Sequence, residues 1–440
     1  MARGQGDHAV VLGASMAGLL TARVLSDSFH QVTVIERDVL SAEASQRRGV
    51  PQARHLHALL SRGAQVLDDL FPGFTKQVTE AGAPVGDLLG NIRWFLSGHR
   101  LAQADMGQPV MFPSRPVLEA HVRSLVSGLS NVSFLDGHDI VSPTASADKR
   151  RVTGVRVRSA DAAESAVDAD LVVDATGRGS RAPLWLAELG YARPVTEKVT
   201  VDVGYASRSY QLPHDILGND KLILHGWTPA YPRGAGLVEQ QGGRFLLTVT
   251  GLLGDYPPID PAGFDEFTAS LQYPDIHEAV RAGVPLDDPV SFRYPANVRQ
   301  RYERMRDFPD GFLVLGDAVC AFNPIYGQGM TSAALQANAL RELLADGQPL
   351  TWRRHFQAMA SAVDDPWTIS TSNDLGFPGV SGRRTPAVRL INAYLPRLHE
   401  LAGRDAATAE AFLRVTGLLE HPTALLRPGL ALRVLTRRWR

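Results

Sequence analysis

The opening forty residues limit what this chain can fold into more than any other stretch. His8-Ala9-Val10-Val11-Leu12 is a short apolar run with β-branched residues, closed by Gly13, and it predicts a buried parallel strand. Gly13-Ala14-Ser15-Met16-Ala17-Gly18 predicts a tight turn, after which Leu19, Leu20, Ala22, Val24 and Leu25 recur at near-helical spacing. Val32-Thr33-Val34-Ile35 predicts a second strand, ending at Glu36 and Arg37. Strand, turn, helix, strand is a βαβ unit with the layout of a dinucleotide-binding fingerprint. Gly13 permits the sharp turn and Gly18 lets the helix pack closely on the sheet. Backbone N–H groups of Met16 and Ala17 at the helix start, together with the positive end of its dipole, suit a pyrophosphate. Glu36 can accept hydrogen bonds from ribose hydroxyls, which argues against a 2′-phosphate and for FAD or NAD. Ser15 departs from the pattern, because its side chain must be housed where phosphates approach the backbone.

The apolar stretch from Val10 to Ala22 could pass for a signal peptide, but Asp7, Gly13, Gly18 and the strand that follows are better explained by the βαβ unit. No run reaches the ~18 to 20 apolar residues that span a bilayer, so no membrane span is expected. At 440 residues, two substantial lobes are expected. Lys plus Arg is 45 and Asp plus Glu 46, so no whole-chain field draws it to nucleic acid. A single cysteine, Cys320, excludes an internal disulfide and fits a cytoplasmic protein. His55 and His57, two apart on an expected strand, lack neighbours at ligand spacing, so no metal is expected. Gly234-Ala235-Gly236 and Gly242-Gly243 read as hairpin turns rather than a second nucleotide site.

A distant segment decides between FAD and NAD. Phe312-Leu313-Val314-Leu315 predicts a strand that runs into Gly316-Asp317, then Pro324, Gly327, Gly329 and Met330, with a helix from about Thr331. It resembles the second FAD motif of the class A flavoprotein monooxygenases. That resemblance implies that Asp317 binds ribityl hydroxyls and that amides after Pro324 approach the pyrimidine end of the flavin. Backbone N–H groups at Gly327 and Gly329 would stabilise negative charge on a reduced flavin. Ser114-Arg115-Pro116-Val117-Leu118-Glu119 resembles the helix start whose arginine, here Arg115, contacts the flavin phosphates. Asp174-Ala175-Thr176-Gly177 stands where the family has its Asp-Gly motif, with Thr176 in place of the aspartate tied to flavin and NADPH use. Direct use of NADPH in the family's usual manner is therefore in doubt, and electrons are expected from NAD(P)H directly or through a separate flavin reductase. The run Arg47-Arg48-Gly49-Val50-Pro51-Gln52-Ala53-Arg54-His55-Leu56-His57 is similar to the flavin-edge loop of polyene epoxidases of polyether antibiotic biosynthesis and their bacterial relatives. So is Asp365-Pro366-Trp367, continuing through Asp374 to Val380.

The resemblance implies an α/β fold with a Rossmann-like, para-hydroxybenzoate hydroxylase-like FAD-binding domain, a smaller β-sheet substrate domain and a helical C-terminal region. The expected division is 1–80, 107–183 and 293–344 for FAD, 81–106 and 184–292 for substrate, and 345–440 for the helical region. The candidate cofactor residues are Gly13, Ser15, Met16, Ala17, Gly18, Glu36, Arg37, Arg48, Arg115, Thr176, Gly177, Gly316, Asp317, Pro324, Gly327, Gly329 and Met330. Val50, Arg54, His55 and Pro324 are the candidates for the flavin edge. The implied activity is epoxidation of an alkene in a bulky apolar specialised metabolite by O₂, through a flavin C4a-hydroperoxide. The cofactor carries the hard chemistry, which explains the lack of a conspicuous acid–base pair. An aromatic hydroxylase on the same scaffold, a flavin reductase of isoprenoid double bonds like the geranylgeranyl reductases, and an FAD-binding protein without turnover remain alternatives.

Overall fold

The computed structural model describes residues 6–436. Strand Gly6–Leu12, helix Met16–Leu25 and strand Phe29–Ile35 form the expected βαβ unit. Gly6–Leu12 is central in a parallel sheet ordered Phe312–Val314, Leu171–Asp174, Gly6–Leu12, Phe29–Ile35, Val132–Leu135. Parallel strands covered on both faces read as continuous apolar runs, and Ala9 to Leu12 are wholly buried. The first strand thus lies in register with Leu171–Asp174, and the chain after Phe312–Val314 emerges at the same sheet edge. That brings Gly13, Thr176 and Asp317 to one end of the sheet although they are far apart in sequence.

Gly13 adopts φ +98°, and its amide donates to the Ile35 carbonyl at 2.7 Å. A Cβ on Gly18 would stand 1.8 Å from the Gly13 carbonyl oxygen, so this position requires glycine for the helix to sit against the turn. Met16–Leu25 packs against helices Arg115–Ser127 and Gly329–Ala345. Between Val132–Leu135 and Leu171–Asp174 the crossover is a three-stranded antiparallel sheet, His138–Ala145, Val152–Ser159 and Glu164–Asp168.

A nine-stranded sheet covers the other side of the cleft, built around Val195–Gln211, Arg244–Leu252 and Val290–Arg301. Ile92–Leu96 joins it through a parallel pairing with Leu222–His225. Residues 293–301, assigned from the sequence to the FAD lobe, instead complete the long strand Val290–Arg301 of this sheet. Gly234 to Gly236 lie inside strand Arg233–Gln240 and are not a turn. The reason is close packing: a Cβ on Gly234 would meet Trp227 at 2.5 Å, and one on Gly236 would meet Leu56 at 2.7 Å. Gly242 and Gly243 do form the connection to Arg244–Leu252.

The chain beyond 350 is helical, with Trp352–Asp374, Pro386–Ala402, Ala406–Thr416 and Pro428–Thr436. The Arg- and Leu-rich end, read as a helix to 440, is helical to Thr436, and its last four residues lie outside the described residues. Among the described residues no helix is long and apolar enough to cross a membrane.

Candidate functional site

The two sheets enclose a cleft of about 580 Å³, within the range of small-molecule and cofactor pockets. Two helix N-termini open onto it: Met16 and Ala17 of one, Gly329 and Met330 of the other. First-turn amides have no partner within their own helix, so both ends present donors and positive dipole ends. Gly329 has no atom within 4 Å of where a Cβ would stand, leaving its backbone open to the cleft.

The side chain at the departing position Ser15 is housed by hydrogen bonds. Its hydroxyl donates to Glu119 at 2.8 Å and accepts from Arg115 Nη2 at 2.9 Å, which turns it toward helix Arg115–Ser127. Arg115 bonds Glu119 at 3.0 Å, while Arg47 bonds Glu119, reaches Glu36 at 3.3 Å and donates to the Ala14 carbonyl at 3.1 Å. Glu36 in turn accepts the Ala14 amide at 2.8 Å. Burial opposes the charge of Glu119, yet the two guanidinium groups hold its carboxyl below the usual range. Glu36, Glu119 and Asp38, the last 4.0 Å from Arg47, are thus balanced around the Gly13 turn by Arg47, Arg115 and the nearby Arg123.

At the same end of the parallel sheet, the Asp317 side chain has no hydrogen-bond partner among the described residues. Burial raises its pKa, against the pull of Arg178 and Arg115. A carboxylate that faces a cleft without a protein donor suits a ligand rich in hydroxyls. Asp174, wholly buried below Thr176, accepts from the Thr176 amide at 2.9 Å, the Thr176 hydroxyl at 2.6 Å and the Ser180 hydroxyl at 2.6 Å. The Thr176 hydroxyl is thus turned away from the cleft.

Of the residues singled out from the sequence, Gly13, Ser15, Met16, Ala17, Glu36, Arg37, Arg115, Thr176, Gly177, Asp317, Pro324, Gly327, Gly329 and Met330 line this cleft, as do Val50 and His55. Gly18 and Gly316 do not line it. Each allows close packing behind the wall, Gly316 at φ +75° with its would-be Cβ 2.7 Å from Ala17. Two expectations are corrected. Arg48 is exposed and off the cleft, because it sits at the tip of a turn closed by the Val50 amide on the Arg47 carbonyl at 3.1 Å, and Arg47 takes the inward place. Arg54 is also exposed: the short 3-10 turn Pro51–Arg54 carries it outward and delivers His55 to the cleft instead. The segment holding His55 and His57 is irregular and not a strand.

Sequence reasoning missed Tyr205, Phe292 and Tyr294, which form the wall on the nine-stranded sheet, and Arg178, which reaches them from the turn Gly177–Gly179 after strand Leu171–Asp174. Phe292 and Tyr294 are two apart on one strand and share a face, a period-two aromatic signal that was present in the sequence. The Arg178 guanidinium lies 5.1 Å from the centroid of each ring. His57 also reaches the cleft. Its Nδ1 lies 2.9 Å from the His55 carbonyl, which can only accept, so Nδ1 carries the proton. Burial, with the charge of Arg115, lowers its pKa to about 3, and the ring is neutral.

Behind Pro324, Asp374 is wholly buried, and among the described residues no cation pairs with it. It accepts from Asn297 at 2.6 Å, Asn323 at 3.0 Å and the Tyr326 hydroxyl at 2.7 Å. Asn323 also accepts the Tyr205 hydroxyl at 2.9 Å. The carboxyl therefore holds both ends of the turn Pro324–Tyr326 that forms one rim of the cleft. Burial raises its pKa to about 6 against these three donors.

No family model matches the chain. It is 35% identical to Protein Rv3254 of Mycobacterium tuberculosis (strain ATCC 25618 / H37Rv), over 94% of this chain and 90% of that protein. The kynurenine 3-monooxygenase of Salinispora tropica is 26% identical over 77% of this chain and 72% of its own length. The structure of p-nitrophenol 4-monooxygenase from Pseudomonas putida DLL-E4 superposes with a TM-score of 0.65 at 16% identity, covering 95% of this chain and 99% of that one. At that identity the likeness is one of fold, and the fold is that of the FAD-dependent monooxygenases, with mixed α/β sheets and a helical C-terminal region.

Proposed function

We propose, on the premise that the chain belongs to the family of Protein Rv3254 and has the FAD-dependent monooxygenase fold, that it is such a monooxygenase, acting on an apolar unsaturated small molecule. The observation that carries the reading is the cleft itself: two helix N-termini, a carboxylate at Glu36 and an unpartnered carboxylate at Asp317 all line it. This donor and acceptor set fits FAD. First-turn amides of Met16 and Ala17 would hold its diphosphate beside the Arg115 guanidinium, and Glu36 would take the adenosine ribose hydroxyls. Asp317 would accept from the ribityl chain, and amides at Gly327 to Met330 would face the pyrimidine end of the ring. When bound and reduced, FAD would supply the two electrons that activate O₂, one atom of which enters the substrate while the other leaves as water.

The chain's own residues then hold the substrate, exclude water and fix protons. Tyr205, Phe292 and Phe322 offer it an apolar wall, and the Tyr205 hydroxyl is already committed to Asn323. Burial pushes the two cleft histidines, His55 and His57, down to about 4 and 3, which makes both weak bases toward a phenol. That favours epoxidation of a neutral alkene in specialised metabolism, as in polyene epoxidases. Hydroxylation of an aromatic ring is the second reading, favoured by the kynurenine 3-monooxygenases among the relatives. Electrons reach the flavin from NAD(P)H or from a separate reductase; with the Thr176 hydroxyl turned inward to Asp174, reduction by NADPH alone is expected to be slow. Turnover under oxygen-18 gas with an alkene panel and with kynurenine tests the reading. One labelled oxygen in an epoxide supports the first form, label in a phenol the second, and addition of two hydrogens without label contradicts both.

A further inference from the structure

His55 lies at the boundary between the cleft and the nine-stranded sheet, and its ring is wired on one side only. Nδ1 is 2.7 Å from Ser207 Oγ, and Ser207 Oγ is 2.6 Å from Thr248 Oγ1. Thr248 Oγ1 also accepts the Leu56 amide at 2.9 Å. Both hydroxyls are buried, so each proton needs an acceptor inside the protein.

Only one direction of donation satisfies them all. If protons ran from His55 to Ser207 to Thr248, Thr248 would accept twice and its own proton would have no acceptor among the described residues. An unmet buried donor of that kind costs about 1 to 3 kcal/mol. Run from Thr248 to Ser207 to His55 Nδ1, every proton is used. Burial, with the charge of Arg54, lowers the His55 pKa to about 4, so the ring is neutral at pH 7. A neutral imidazole that accepts at Nδ1 carries its proton on Nε2. Nε2 has no protein partner among the described residues, and His55 lines the cleft with the rings of Phe292 and Tyr205 at 5.7 and 6.2 Å. His57 has the opposite polarity, its Nδ1 proton being spent on the His55 carbonyl.

We propose that His55 is a specificity-determining residue, its Nε2–H fixed by the Thr248–Ser207 chain as the donor to a carbonyl, ether or hydroxyl oxygen of a substrate packed on Tyr205 and Phe292. Ser207 and Thr248 are positioning residues that act through the ring. The proposal rests on the monooxygenase reading only in requiring a substrate in this cleft beside FAD. A buried donor left without an acceptor discriminates against analogues that lack the oxygen.

The test uses the FAD-loaded protein and two probes of nearly the same shape, acetophenone and α-methylstyrene, which differ in C=O against C=CH₂. Binding is read from the flavin absorption, and the histidine tautomer from ¹⁵N spectra assigned with His55→Gln. The expected result is an Nε2-protonated His55 and a roughly fivefold to tenfold preference for the ketone. That preference disappears in His55→Phe and is partly retained in His55→Gln. Ser207→Ala should mix the two tautomers and weaken the preference, a change that loss of packing alone would not produce. Equal affinities in the wild type, saturable binding of neither probe, a preference that survives in His55→Phe, or a proton on Nδ1 would each overturn the proposal. A midpoint potential altered by His55→Phe with unchanged probe affinities would also overturn it, by moving the donor to the flavin. Failure to take up FAD at all would instead defeat the functional reading, so the two failures are distinct.

Discussion

Two buried acid clusters flank the cleft, and they handle charge in opposite ways. At the Gly13 turn, Glu36, Glu119 and Asp38 are matched by Arg47, Arg115 and Arg123, so the group is charged and balanced. Behind Pro324, Asp374 is held by three neutral donors, and among the described residues no cation pairs with it. A balanced ionic cluster keeps its charge across a wide pH range, whereas a lone buried carboxyl titrates close to neutrality. The first suits the place where a diphosphate would arrive, since an added anion meets a group already neutral overall. The second makes the turn Pro324–Tyr326 sensitive to a single proton.

The largest effect that breaks this comparison is expected from Arg47→Ala. It removes one base and leaves Glu119 with a single paired guanidinium and Glu36 with none, and breaking a buried pair in this way costs roughly 3 to 5 kcal/mol. Denaturant unfolding should show that loss, together with weaker FAD retention; an unchanged midpoint would mean that the cluster is not the tight network drawn here. Asp374→Leu comes next. It leaves donors from Asn297, Asn323 and Tyr326 unmet, and a loss of roughly 1 to 3 kcal/mol is expected by the same measurement. Full stability in this variant would mean that the three donors find other acceptors.

These two clusters also mark how far the sequence could be read. The Gly13 turn was legible because its glycines, its helix and Glu36 are local and each has a steric or electrostatic reason. The way Ser15 is housed was not, since it depends on Arg115 and Glu119, which reach it from a helix 100 and 104 residues further along the chain. Asp317 was legible from its strand and glycine context. Asp374 could be quoted as part of a resemblance, but its burial against Asn297 and Asn323 is set by tertiary packing. For the same reason Arg48 and Arg54 were read inward: adjacent arginines carry no signal of which one the backbone turns into the protein, and here Arg47 is turned onto Glu36 and Glu119. The long strand Val290–Arg301 crosses an expected domain boundary because alternation identifies a strand without saying which sheet it joins.

The smallest effect sharpens the comparison through pH. His55, His57, His355 and His399 are lowered by burial from 6.5 to about 4, 3, 4 and 3. The unfolded chain therefore binds these protons first, and their contribution to stability is complete above about pH 6.5 and is lost as pH falls toward the folded values. Asp374 runs the other way: raised from 3.8 to about 6, it favours the folded state below 3.8 and loses that contribution as pH rises through 6. Thermal unfolding temperatures should fall between pH 7 and pH 4, and fall more steeply in Asp374→Asn, which removes the opposing proton. A shallower slope in that variant would contradict the assignment of a raised value to Asp374.

In the proposed function, the turn at Gly13 and the carboxylate at Asp317 would together hold FAD. Titration of FAD into the purified chain, followed by visible absorption and fluorescence, tests it most directly. Saturable uptake with a perturbed flavin spectrum is expected, and much weaker uptake in Asp317→Ala. A wild-type chain that leaves the spectrum of free FAD unchanged at every concentration would contradict it.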